Sequence, residues 1–118
     1  MISLREVAEK LEVQVVAGGE TLNRPVAAGY ASDLLSCAMN SAKKDYVWVT
    51  LQAHVNVIAV ASLLGLSGVI ITEGNRPDQD TVARAEDESV VLMLTPKTTF
   101  TVVSELAALG VRSEPEQR

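Results

Sequence analysis

One cysteine, Cys37, and one histidine, His54, stand in the whole 118-residue sequence. That scarcity excludes an intrachain disulfide, a zinc site and an iron–sulfur site, since each needs several such side chains. Aromatic residues make up only 3%, so any core must be aliphatic, and the 47% hydrophobic content supplies one. Positive charge is also in deficit. Ten Lys and Arg against fifteen Asp and Glu leave a formal charge of −5, which speaks against a general attraction to nucleic acid or to an anionic membrane surface. No long hydrophobic run is present: the stretch from Val55 to Leu66 is broken by Asn56 and Ser62 and falls short of the ~20 residues of a membrane span. The opening Met1-Ile2-Ser3-Leu4-Arg5-Glu6 has no basic, apolar and cleavage regions in series, so a cytoplasmic protein is expected. The length fits one compact domain.

What is present is an alternation of helix and strand patterns. Leu4, Val7, Ala8 and Leu11 follow helical spacing, and Ser3 with Glu6 forms an S-x-x-E capping box in front of them. Val13 to Val16 and Pro25 to Ala31 read as two short strands around the turn residues Ala17-Gly18-Gly19-Glu20. Ser32-Asp33 reads as the start of a helix reaching about Ser41, with Asp33 either capping it or presenting a carboxylate. Further on, Tyr46 to Thr50, Gly68 to Thr72 and Val90 to Thr95 read as strands. Between and after them, His54 to Leu66, Asp78 to Asp87 and Thr98 to Leu109 read as helices. This order predicts a three-layer α/β/α fold with a mainly parallel sheet built from βαβ units. Residues 1–111 form the expected single domain, and 112–118, lacking a large apolar side chain, a flexible C-terminal tail.

Three of these strands end in threonine followed by a polar loop. They are Thr50-Leu51-Gln52, Thr72-Glu73-Gly74-Asn75 and Thr95-Pro96-Lys97-Thr98. In an open parallel sheet such ends collect on one edge, beside helix N-termini, where ligands usually bind. Thr50, Gln52, His54, Asn56, Thr72, Glu73, Gly74, Thr95, Lys97 and Thr98 are therefore the candidate ligand-binding residues. The alternative is that each threonine caps its loop or helix. His54 could donate to an anion or transfer a proton, or it could cap the helix it precedes. No G-x-G-x-x-G or G-x-x-x-x-G-K-[ST] phosphate motif occurs, and Cys37, among Leu34, Leu35 and Ala38, reads as a small packing residue rather than a redox group. The run from Val55 to Leu66 is apolar nearly all round, which predicts burial on more than one side, either beneath another element of the same chain or, the preferred reading, in a homodimer contact.

Leu22-Asn23-Arg24-Pro25-Val26, Gly29-Tyr30-Ala31-Ser32-Asp33-Leu34-Leu35 and the segment from Trp48 to Ala61, with its W-V-T-L-Q-x-H-x-N core, resemble the DRTGG domain family. The similarity runs over about residues 3 to 110 and is strongest to the short stand-alone form associated with iron-only hydrogenase gene clusters. The family is also similar to the N-terminal domain of HPr kinase, the part that performs no phosphoryl transfer. The resemblance implies an α/β/α fold and a non-catalytic regulatory or small-ligand-sensing role, linked to hydrogenase or redox metabolism. Where the family's strand end continues with glycine, an acid and arginine, this chain has Gln52-Ala53-His54. The expected partners are a second copy of the chain and a polar or anionic, nucleotide-like small molecule, with no metal or other cofactor. A docking module acting through an apolar surface, or a small enzyme using His54, are the alternatives.

Overall fold

The computed structural model describes residues 1–115. Five strands, β1 (Gln14–Ala17), β2 (Ala28–Ala31), β3 (Tyr46–Thr50), β4 (Gly68–Ile71) and β5 (Leu92–Leu94), form one sheet in the order β1-β5-β4-β3-β2. β2 to β5 run parallel, and β1 joins β5 antiparallel. The helices are α1 (Leu4–Leu11), α2 (Leu35–Ser41), α3 (Asn56–Leu64), α4 (Gln79–Asp87) and α5 (Thr99–Ala108). The three-layer α/β/α arrangement expected from the sequence is the observed one. The two short N-terminal strands lie at opposite edges of the sheet.

Side-chain alternation along the central strands divides the core in two. Tyr46, Trp48, Val69, Ile71, Leu92 and Leu94 face one side, where α2, α3 and α4 contribute Ala38, Ile58, Ala61 and Ala85. Val47, Val49, Ile70, Val91 and Met93 face the other, against Leu4, Val7 and Leu11 of α1 and Val102 and Leu106 of α5. A strand buried on both faces reads as a continuous apolar run, which is why these three were legible. Trp48 is fully buried, and its one polar atom, Nε1, donates to the Ser32 carbonyl at 3.0 Å.

Helix ends follow their caps. Ser3 accepts from the Glu6 amide and Glu6 reaches back to the Ser3 amide, completing the capping box at α1. Asp78 and Thr98 cap α4 and α5 in the same way from β-region backbone. Two expectations need correction. α3 begins at Asn56 and buries only one face, through Val57, Ile58, Val60 and Ala61, while Ala59 is exposed and Leu63 is 72% exposed. The reason is that the sheet lies on one side of α3 only, and none of the described residues covers Ala59 and Leu63 on the other. α2 begins at Leu35 with no side-chain cap, because Asp33 is engaged elsewhere. The segment expected as a tail starts against the sheet, the Arg112 carbonyl accepting from Gly29 N–H at 2.8 Å, and 116–118 lie outside the described residues.

At the end of β1 the register shifts between Val15 and Ala17, and Gly18 follows at φ 72°. A Cβ on Gly18 would sit 2.5 Å from the Val90 carbonyl oxygen, whereas one on Gly19 would meet nothing within 4 Å. Gly18→Ala is therefore expected to cost about 1–3 kcal/mol through left-handed strain and overpacking against backbone, and Gly19→Ala close to nothing. Urea unfolding of the two variants checks this. Equal midpoints would show that the Gly18 turn relaxes freely.

Candidate functional site

The parallel register brings the strand ends level: Ala31 lies opposite Val49, Thr50 opposite Ile71, and Ile71 opposite Leu94. Thr50, Thr72 and Thr95 thus share one edge of the sheet, and all three are buried. Their hydroxyls are turned to internal bonds. Thr50 Oγ1 donates to Asp33 Oδ1 at 3.1 Å and accepts from Gln52 N–H at 3.1 Å. Thr72 Oγ1 and Thr99 Oγ1 share a hydrogen bond of 2.6 Å, and Thr95 Oγ1 accepts from Lys97 N–H at 3.2 Å. Each threonine satisfies loop or helix groups that would otherwise be unpaired.

The loops are tied to one another as well as to themselves. Asp33 Oδ1, at the end of β2, also accepts from Leu51 N–H at 2.9 Å, so one carboxylate oxygen joins the loops after β2 and β3. Asn75 Nδ2 donates to the Leu51 carbonyl at 2.6 Å, joining the loops after β3 and β4. Glu73 and Gly74 form a left-handed turn, φ 63° and 72°, closed by Asn75 N–H on the Thr72 carbonyl. From that turn, Glu73 N–H reaches the Lys97 carbonyl and Gly74 N–H the Thr95 carbonyl. Glu73 Oε2 accepts from Thr99 N–H at 2.9 Å, placing a carboxylate at the N-terminus of α5, where the helix dipole favours it. Four loops therefore form one hydrogen-bonded rim. Asp33, Asn75 and Thr99 carry it, and sequence reading did not select them for it: their partners lie 17 to 27 residues away.

His54, Asn56, Glu73, Gly74 and Thr98 are exposed on this rim and Gln52 is half-buried. His54 Nδ1 accepts from the first amide of α3, Asn56 N–H, at 3.1 Å. Lys97 departs from the others. Its Nζ donates to the Leu11 carbonyl at 2.8 Å and to Glu105 at 2.9 Å, so the ammonium is spent between α1 and α5. Beside the rim, a small cavity of about 210 Å³ is lined by Gly74, Asn75, Arg76 and Thr95 with Glu12 and Gln14. No group of three or more potential metal ligands occurs among the described residues, and no helix there is long and apolar enough to cross a membrane.

Residues 6–109 match the model of the DRTGG domain. The chain belongs to that family. A solved structure with a TM-score of 0.69 and 18% identity covers 96% of this DRTGG chain, which spans 47% of that one. It holds the CBS and DRTGG domains of the regulatory region of a Clostridium perfringens pyrophosphatase, complexed with its activator diadenosine tetraphosphate. At that identity the likeness establishes a shared fold. No curated protein matches the sequence.

Asp78 stands next to the rim, at the head of α4. Its Oδ1 accepts from Thr81 N–H at 2.8 Å. That backbone bond first, the Thr81 hydroxyl second and the nearby His54 charge last hold the carboxyl below the usual aspartate value. A carboxylate whose pKa falls on folding stabilises the fold above its unfolded value, and the contribution disappears as pH falls through the folded value. Amide protection in the first turn of α4 is accordingly expected to fall in acid, and Asp78→Asn should flatten that dependence while keeping an acceptor. An unchanged acid profile in Asp78→Asn would assign the titration to another group.

Proposed function

We propose that this DRTGG chain is a regulatory domain that senses a polar or anionic, nucleotide-like molecule at the carboxyl edge of its sheet and performs no catalytic step. The observation that carries this reading is the rim itself. Asp33, Thr72, Glu73 and Asn75 connect the four loops, so a ligand touching one loop acts on all of them. Gln52, His54 and Asn56 remain on its outer side with polar groups to offer, and the amides at helix N-termini favour negative charge. A non-catalytic role is supported by how the hydroxyls are used. Those of Thr50, Thr72 and Thr95 bond to Asp33, Thr99 and backbone amides, and His54 is committed at Nδ1 to the Asn56 amide, so no hydroxyl is paired with the imidazole as nucleophile and base.

The diadenosine tetraphosphate held by the pyrophosphatase regulatory region supports the nucleotide-like class, and a setting in redox metabolism is supported by the sequence resemblance of the Trp48 to Ala61 segment alone. A docking role, through a homodimer or another protein, is the second reading. The exposed Leu63 and Ala59 on the outer face of α3 favour it.

A thermal-shift screen of nucleotides and acyl phosphates tests the sensing role. A ligand at a hundredfold excess over its Kd adds about 2.7 kcal/mol to the native state, so a clear rise in Tm is expected for at least one compound. The rise, measured for each protein from its own unliganded Tm, should shrink in His54→Ala and in Gln52→Ala. A full rise in both variants would remove these residues from the site, and no rise with any compound would remove the sensing role.

A further inference from the structure

The two faces of the sheet are covered unequally, by α2, α3 and α4 on one side and by α1 and α5 on the other. Packed helices lie about 8–10 Å apart and neighbouring strands about 4.8 Å, so two helices leave part of a five-stranded face open. The opening falls beside β2. Gly29 and Ala31 pair with Val47 and Val49 and so share their face, where they place nothing larger than a methyl group. The floor of the resulting cleft is Gly29, Ala31 and Val49, and one wall is Val103 and Ala107 of α5. The other wall is the chain from Gly110 to Ser113, fixed to the sheet edge by the Gly29 to Arg112 backbone bond. Its volume of about 560 Å³ lies in the range of small-molecule sites.

Charge and shape narrow the occupant. Arg112 is the only charged residue lining the cleft, and no carboxylate among the described residues pairs with it, although the chain carries a net charge of −5. Phe100 lies on the same stripe of α5 as Val103 and Ala107, one turn nearer the carboxyl edge, and is 82% exposed. Phe100 does not line the cleft itself; an apolar floor beside a guanidinium with no carboxylate partner among the described residues suits a flat ring bearing an anion, since the ring packs on the floor and the ion pair fixes orientation.

We propose that this cleft is a binding site, separate from the carboxyl edge, for a planar aromatic molecule carrying one anionic group. The ring lies on Ala31 and Val49, between Val111, which packs over Gly29, and the α5 stripe, and the anion pairs with Arg112. The test is amide chemical-shift mapping of the whole chain with two probes of the class, AMP and 1-naphthoate, beside adenosine and inorganic phosphate as half-probes. At least one full probe is expected to shift Ala31, Val103, Ala107 and Arg112, and to do so at lower concentration than either half-probe. A response to AMP alone identifies a nucleotide site, and a response to both an aryl-anion site. Arg112→Gln should weaken the full probe about tenfold and leave adenosine unchanged, while Ala31→Leu, which fills the floor from an edge strand, should abolish the shifts. Shifts confined to residues 50–56 and 72–78 would overturn the cleft and leave the sensing role standing. Silence from both full probes, or binding that survives Ala31→Leu and Arg112→Gln at full strength, would overturn the cleft whatever the thermal-shift screen finds.

Discussion

Apolar side chains on both faces of β3, β4 and β5 are the constraint from which the rest of the molecule follows. A strand such as Tyr46-Val47-Trp48-Val49-Thr50, buried at every position, needs a packed layer above and below it. Helical crossovers supply those layers and make the strands parallel, and parallel strands place their carboxyl ends together. The polar loops that collect there have many backbone groups to satisfy. Buried threonines, one aspartate, one asparagine and one glutamate satisfy them by bonding across loops.

That solution gives the edge a property useful in regulation. Loops that satisfied their own amides could move singly, whereas loops that share Asp33, Asn75 and the Thr72 to Thr99 bond lose several hydrogen bonds if one is displaced. In the proposed sensing role, coupling of this kind would carry a contact on one side of the edge to the start of α5 on the other. The same packing constraint explains the open cleft beside β2: three helices fill one face, two cannot fill the other, and Val111 covers Gly29 while the small Ala31 leaves the rest of the gap open.

Local patterns carried most of the fold. The capping box at Ser3 and Glu6, the caps at Asp78 and Thr98 and the β-branched runs of the central strands each depend on residues within a few positions, so spacing alone revealed them. The likeness of the W-V-T-L-Q-x-H-x-N segment to the DRTGG family carried the regulatory reading. What escaped depends on distant partners. Asp33 looked like a cap because Ser-Asp before an apolar pair usually is one, yet Thr50 and Leu51 hold it from 17 and 18 residues away. Lys97 stood among the candidate ligand-binding residues, but Leu11 and Glu105 draw its ammonium to the α1 side, and only the folded chain brings Leu11 within reach across 86 residues. The apolar circumference of α3 predicted burial on more than one side, and within this chain the sheet covers one.

Whether the four loops behave as one unit is decided most directly by amide hydrogen exchange in the parent protein and in Asp33→Ala. That substitution removes the acceptor for the Thr50 hydroxyl and Leu51 N–H, which are its only partners here. Cross-tied loops predict faster exchange at Leu51 together with Glu73 and Gly74, two loops away from Asp33, and Thr99, three loops away. Faster exchange at Leu51 alone, with the loops after β4 and β5 as protected as before, would contradict the account.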